Sequence, residues 1–167
     1  MTKIIGIVGW KNNGKTTLIE RLVALFAGEG LRVATIKHAH HDFDIDHPGK
    51  DSWRHRQAGA REVLITSQKR WALLHENGAD AEPVLEDLLA RLSPADLVIV
   101  EGFKHHDHPK IEVVLAPPRE SLVCESDPGV AAVATNLPDL ALARPLPRLD
   151  IDRPEQVADF IRKLINL

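Results

Sequence analysis

Apolar positions fall along this chain in two rhythms. Ile4, Ile5, Ile7 and Val8 form a nearly unbroken run, the pattern of a parallel strand buried on both faces. Leu18, Leu22, Leu25 and Phe26 then recur at i, i+4, i+7 and i+8, one stripe of a helix that stops near Gly28 and Gly30. RVATIK, Arg32 to Lys37, predicts a second strand. It empties into a long polar stretch, HAHHDFDIDHPGKDSWRHRQAGA, with a short helix over Lys50 to Ala58; a connection this long is usually functional. EVLITS and RWALLHE flank Gln68-Lys69 and predict a hairpin, although the connection lacks the glycine or asparagine of primed turns. A helix follows over Pro83 to Leu92, with Val84, Leu85, Leu88, Leu89 and Leu92 as its apolar face. DLVIVEG, KIEVVLA and VAAVAT are three further strands, and a helix over Pro154 to Ile165 closes the chain with Val157, Phe160, Ile161, Leu164 and Ile165 toward the sheet. Alternating strands and helices predict an α/β fold, a mainly parallel sheet flanked by helices plus a β-hairpin insertion.

Between the first strand and the first helix runs GWKNNGKTT, Gly9 to Thr17. Its spacing is G-x-x-x-x-G-K-[ST], in the strand–loop–helix context that gives the P-loop its meaning. Unpaired N–H groups and the positive end of the helix dipole favour an anion there. Gly9 and Gly14 let the backbone curl, Lys15 reaches the β and γ phosphates, and the Thr16 hydroxyl suits Mg²⁺. A nucleotide is the expected ligand.

Composition narrows the setting. With 167 residues and 44% hydrophobic content the chain is the size of one domain, and a single nucleotide-binding domain over 1–167 is expected. A net charge of −3 argues against a broad nucleic-acid footprint. Cys124 is the single cysteine, so neither an internal disulfide nor a cysteine-based metal cage can form. The N-terminal apolar run is too short for a signal peptide or a membrane span. A cytoplasmic protein without membrane or nucleic-acid partners is expected.

Other residues carry candidate chemistry. A P-loop protein needs a carboxylate at the end of a neighbouring strand to hold Mg²⁺ or its waters, and LVIVEG places Glu101 there. Asp42 and Asp46, in the polar stretch, are candidates to lie near the metal and the attacking water. His38, His40, His41, Asp42, Asp44, Asp46 and His47 together would also suit a transition metal, and His105, His106 and His108 form a second cluster. Asn136 and Asp139 keep the N-x-x-D spacing with which GTPases read guanine, with Leu137 in place of the usual lysine; Pro138-Asp139 is equally ordinary turn chemistry. The hairpin carries Trp71 and Leu73 on one side and Leu74 on the other, an edge that invites pairing with a second copy, hence a homodimer.

Taken together, GWKNNGKTTL, KHAHHDFDIDHPGKDSWRHRQAGA and DLVIVEGFK followed by KIEV resemble the molybdopterin-guanine dinucleotide biosynthesis protein B family, MobB, from the N-terminus to about Val114. The resemblance implies a dimeric P-loop protein that binds GTP with Mg²⁺ and hydrolyses it weakly. Such proteins work beside the guanylyltransferase that attaches GMP to molybdopterin. It places the nucleotide loop at Lys11, Asn12, Asn13, Gly14, Lys15, Thr16 and Thr17 and the acidic strand end at Glu101 and Gly102. Lys50, Arg54, Arg56 and Arg61 are candidates to meet the pterin phosphate or the partner enzyme. The residues alone leave three classes open: a GTP-binding adaptor, a GTP-dependent metallochaperone of the nickel-delivery type, and a small-molecule kinase.

Overall fold

The computed structural model describes residues 2–39, 43–117 and 121–167; Asp42, His40 and His41 lie outside them. The described residues form two compact units, one reaching His38 and resuming at Leu85, the other spanning Ala39–Val84.

The first unit is built on six strands: β1 (Lys3–Val8), β2 (Val33–Lys37), β3 (Leu97–Glu101), β4 (Lys110–Val114), β5 (Val130–Thr135) and β6 (Arg148–Asp150). Their order is β2-β3-β1-β4-β5-β6, and every neighbouring pair is parallel. Strand alternation divides the core. Ile5 and Ile7 of β1, Leu97 and Ile99 of β3, Ile111 and Val113 of β4 and Ala132 and Ala134 of β5 share one cluster with Leu18, Leu22 and Phe26 of α1 (Lys15–Gly28). Val157, Ala158, Ile161 and Ile165 of the C-terminal helix α4 (Pro154–Ile165) join the same cluster. Phe26 is fully buried there; replacing such a ring by alanine typically costs about 3–5 kcal/mol. The opposite face packs Val98, Val100 and Ile36 against Leu85, Leu88 and Leu89 of α2 (Leu85–Arg91). Val8, Val114 and Val133 pack there with Val123 and Cys124 of the one-turn helix α3 (Val123–Ser126). Val84 falls outside α2 and is 56% exposed, so the apolar stripe begins one residue later than the periodicity suggests.

Two charged side chains on β4, Lys110 and Glu112, are buried. Glu112 accepts from the amides of Val123 and Cys124, both at 2.8 Å, which satisfies two N–H groups that open α3. Lys110 donates to the carbonyls of His106 (2.5 Å) and His108 (3.1 Å) and faces Asp127 at 3.1 Å. Gly6 makes room for this arrangement, because a Cβ there would stand 2.5 Å from His108 Nε2 and 2.9 Å from Lys110 Cγ.

The second unit holds a short helix over Asp51–Gln57 and an antiparallel hairpin whose strands, Glu62–Thr66 and Trp71–His75, pair Leu64 with Leu73 and Thr66 with Trp71. Ser67 supplies what the missing glycine would have signalled. Its hydroxyl accepts from the amides of Lys69 and Arg70, and its own amide donates to the Arg70 carbonyl at 2.9 Å.

Candidate functional site

The loop after β1 is shaped by its backbone. Gly9 has φ 137°, and a Cβ there would meet the Val113 carbonyl oxygen at 2.5 Å, an immovable neighbour. Asn12 and Gly14 also take positive φ, and Gly14 caps α1. The Asn13 side-chain oxygen accepts from the Leu115 amide at 3.0 Å, tying the loop to the end of β4. Lys15 donates to the Trp10 carbonyl at 2.8 Å. Thr16 and Thr17 open α1 with exposed side chains. The loop is therefore a curled backbone at a helix N-terminus with one ammonium folded over it, the arrangement that cradles phosphate.

Glu101 ends β3, beside β1, where Ile7 is its register partner. Its side chain is 16% exposed and stands 3.7 Å from the Lys37 ammonium. Burial lowers the Lys15 pKa, Glu101 pulls it back up, and Lys104 and Lys37 lower it further. One carboxylate and three ammonium groups thus share the mouth of the loop. Lys104 also lies 3.9 Å over the Trp10 ring, whose indole N–H donates to the Ser121 carbonyl at 3.0 Å. Sequence reasoning missed Lys37 and Lys104; their signal was position, at or within three residues of a strand's carboxyl end. Gly102 follows at φ 95°, where a Cβ would come within 2.9 Å of His38 Cβ.

A cavity of about 140 Å³ opens beside the loop, lined by Gly14, Thr17, Leu18, Arg21, Leu115, Asn136, Ile151 and Asp152. Asn136 donates to Asp152 at 3.4 Å. Asn136 is thus in the wall of the cavity, whereas Asp139 is exposed and outside its lining.

In the second unit Asp46 accepts from the Ser52 hydroxyl at 2.8 Å and lies 3.5 Å from Arg56 Nε. Arg56 also binds Asp44 at 2.7 Å and Glu76 at 2.8 Å, and its hydrogen bond lowers the Asp44 pKa. Three carboxylates neutralise that guanidinium. Arg61 pairs with Asp80, while Lys50 and Arg54 are exposed. Of the second histidine cluster, His106 bonds Glu86 at 2.7 Å and His108 at 3.0 Å, and His108 is buried over Gly6. Among the described residues no group of three or more His, Cys, Asp or Glu side chains could hold a metal ion.

The family model for molybdopterin guanine dinucleotide synthesis protein B, MobB, matches residues 4–136. The chain belongs to the MobB family. It is 42% identical over 166 residues to the molybdopterin-guanine dinucleotide biosynthesis adapter protein of Haemophilus influenzae, covering 98% of this chain and 89% of that one. It is 39% identical over 170 residues to the protein of the same description from Escherichia coli, covering 96% and 92%. The fold matches the crystal structure of Bacillus subtilis MobB with a TM-score of 0.76 at 25% identity, over 98% of both chains. The MobB match takes in the phosphate loop, Glu101 and Asn136 and stops before Asp152.

Proposed function

We propose that this MobB-family chain is a GTP-binding adaptor with weak GTPase activity, acting in the cytoplasm as a homodimer. Its partner is the guanylyltransferase that attaches GMP to molybdopterin. The relatives named as adapter proteins of molybdopterin-guanine dinucleotide biosynthesis support the pathway. The observation that carries nucleotide binding is the curled loop from Gly9 to Thr17, with Lys15 over it and Glu101 at the adjacent strand end. Those groups also fit Mg²⁺, a hard cation that takes oxygen donors. The Thr16 hydroxyl and the Glu101 carboxylate would hold it or its waters, and its charge would offset that of the phosphates. Lys15 binds the phosphates, and Lys37 and Lys104 add positive charge at the same mouth.

Hydrolysis is slow on this reading. Arg56 is committed to Asp44, Asp46 and Glu76, and Arg61 to Asp80, so neither is offered as an arginine finger. Without one, P-loop hydrolysis typically runs on the order of 10⁻⁴ s⁻¹. The same pairing weighs against an arginine-rich kinase lid, and the bonding of His106 and His108 weighs against metal delivery by that cluster. The exposed Lys50 and Arg54 remain the candidates to meet the pterin phosphate or the partner. The test is a mixture of guanylyltransferase, molybdopterin on its carrier, GTP and Mg²⁺. Faster formation of the dinucleotide on adding this protein is the expected result, and no stimulation would remove the adaptor role.

A further inference from the structure

We propose that Asp152, rather than Asp139, is the residue that selects guanine, reading the base in the cavity beside the phosphate loop. The inference rests on nucleotide binding at that loop. β5 and β6 run parallel side by side, with Thr135 opposite Asp150. Both chains therefore leave the sheet at its carboxyl edge, β5 into Asn136 and β6 into Ile151 and Asp152. That edge is where open α/β sheets bind ligands. Gly14 belongs to both the phosphate loop and the cavity wall, and Thr17, Leu18 and Arg21 continue the wall along α1. A nucleotide with its phosphates on the loop has this cavity as the adjoining space for its base.

The lining suits a flat heterocycle with donors on one edge. Leu18, Leu115 and Ile151 supply apolar surface, and Asp152 and Asn136 supply the polar end. The Asp152 turn is fixed, because its amide donates to Asp150 Oδ1 at 3.0 Å and the Arg153 amide donates to the Asp150 carbonyl at 3.0 Å. The Asn136 side-chain Nδ2 donates to Asp152 Oδ2 at 3.4 Å. A carboxylate accepts only. It can take the N1–H and the exocyclic amino group of guanine together, whereas adenine presents an unprotonated N1 whose lone pair opposes the carboxylate and only its exocyclic amino group can donate, so the paired contact is lost. Asp139 sits on a turn held elsewhere, since Arg148 of β6 binds the carbonyls of Pro138 at 2.8 Å and of Leu140.

Calorimetric titration with GTP, ATP and XTP tests the assignment on this protein, its Asp152→Asn variant and its Asp139→Asn variant. Asp152 is exposed, so the variant should keep the parent melting temperature. Wild type should prefer GTP to ATP. Asp152→Asn should lose at least roughly tenfold in GTP affinity, the loss of charge-assisted hydrogen bonds. It should gain affinity for XTP, because an amide N–H can donate to the second carbonyl of xanthine. Asp139→Asn should leave both within about twofold. An Asp152→Asn variant that binds GTP like the parent, an Asp139→Asn variant that shifts toward XTP, or a wild type indifferent between GTP and ATP overturns the assignment while leaving nucleotide binding in place. A wild type that binds no nucleotide removes the underlying reading itself.

Discussion

The Lys15 ammonium donates to the carbonyl of Trp10, five residues back in its own loop, at 2.8 Å. A phosphate oxygen offers that ammonium a charged acceptor in place of a neutral one, and charge-assisted bonds are roughly twice as strong. Lys15→Ala should therefore weaken GTP binding by roughly 10- to 150-fold, from the ~1.5–3 kcal/mol of such bonds. Its melting temperature should stay near the parent value, because the side chain is only partly buried and joins none of the apolar clusters. Calorimetry showing parental affinity in the variant would end the P-loop reading.

Glu101 is the sole carboxylate among the charges that shift Lys15. Glu101→Gln should leave GTP affinity within about tenfold yet slow hydrolysis on the order of 10²-fold or more, since an amide orients water but offers no charge to the metal. Single-turnover hydrolysis with saturating Mg²⁺ measures this. Unchanged turnover would move the role to another carboxylate.

His108 should make the fold sensitive to mild acid. Burial, with help from the nearby Lys110 and His106 charges, lowers its pKa to about 4, and Asp127 opposes this. The unfolded side chain titrates near ~6.5. Above that value both states are neutral and the stability is intact. As pH falls from ~6.5 toward 4 the unfolded chain binds a proton that the folded chain refuses, so stability declines. Urea midpoints should drop across that window. In His108→Gln the decline should be shallower, whatever the offset in absolute stability.

The hairpin face bearing Leu64, Trp71 and Leu73 is 61%, 62% and 46% exposed at those residues. If a second copy covers it, Trp71→Glu should convert a dimer into a monomer in light scattering at micromolar concentration, with GTP binding retained. A dimer that survives the change places its interface on another surface.

Much of this molecule was legible in its residues, for reasons particular to each part. β1, β3 and β5 are continuous apolar runs because both of their faces are covered, and α1 and α4 carry clear stripes. β6 was not visible: RLD is three residues long, and only Leu149 is buried. α3 is a single turn held by Glu112, a carboxylate that lies inside another strand's apolar run. The phosphate loop is a contiguous motif and was readable at once. The cavity wall joins Gly14, Asn136 and Asp152 from distant parts of the chain, and no local pattern announces that. Nor could composition reveal that Arg56, apparently a cation for a ligand, is spent on its own neighbours.

The strand order has a consequence for how the chain is made. β3 lies between β1 and β2, and β4 flanks β1 on its other side. Neither β1 nor β2, on leaving the ribosome, has a partner until residues 97–101 follow. At ~5–20 residues per second the apolar run of β1 waits on the order of ten seconds with its edges open. Nascent chains arrested before Leu97 should therefore depend on holding chaperones, and those arrested beyond Val114 should depend on them much less.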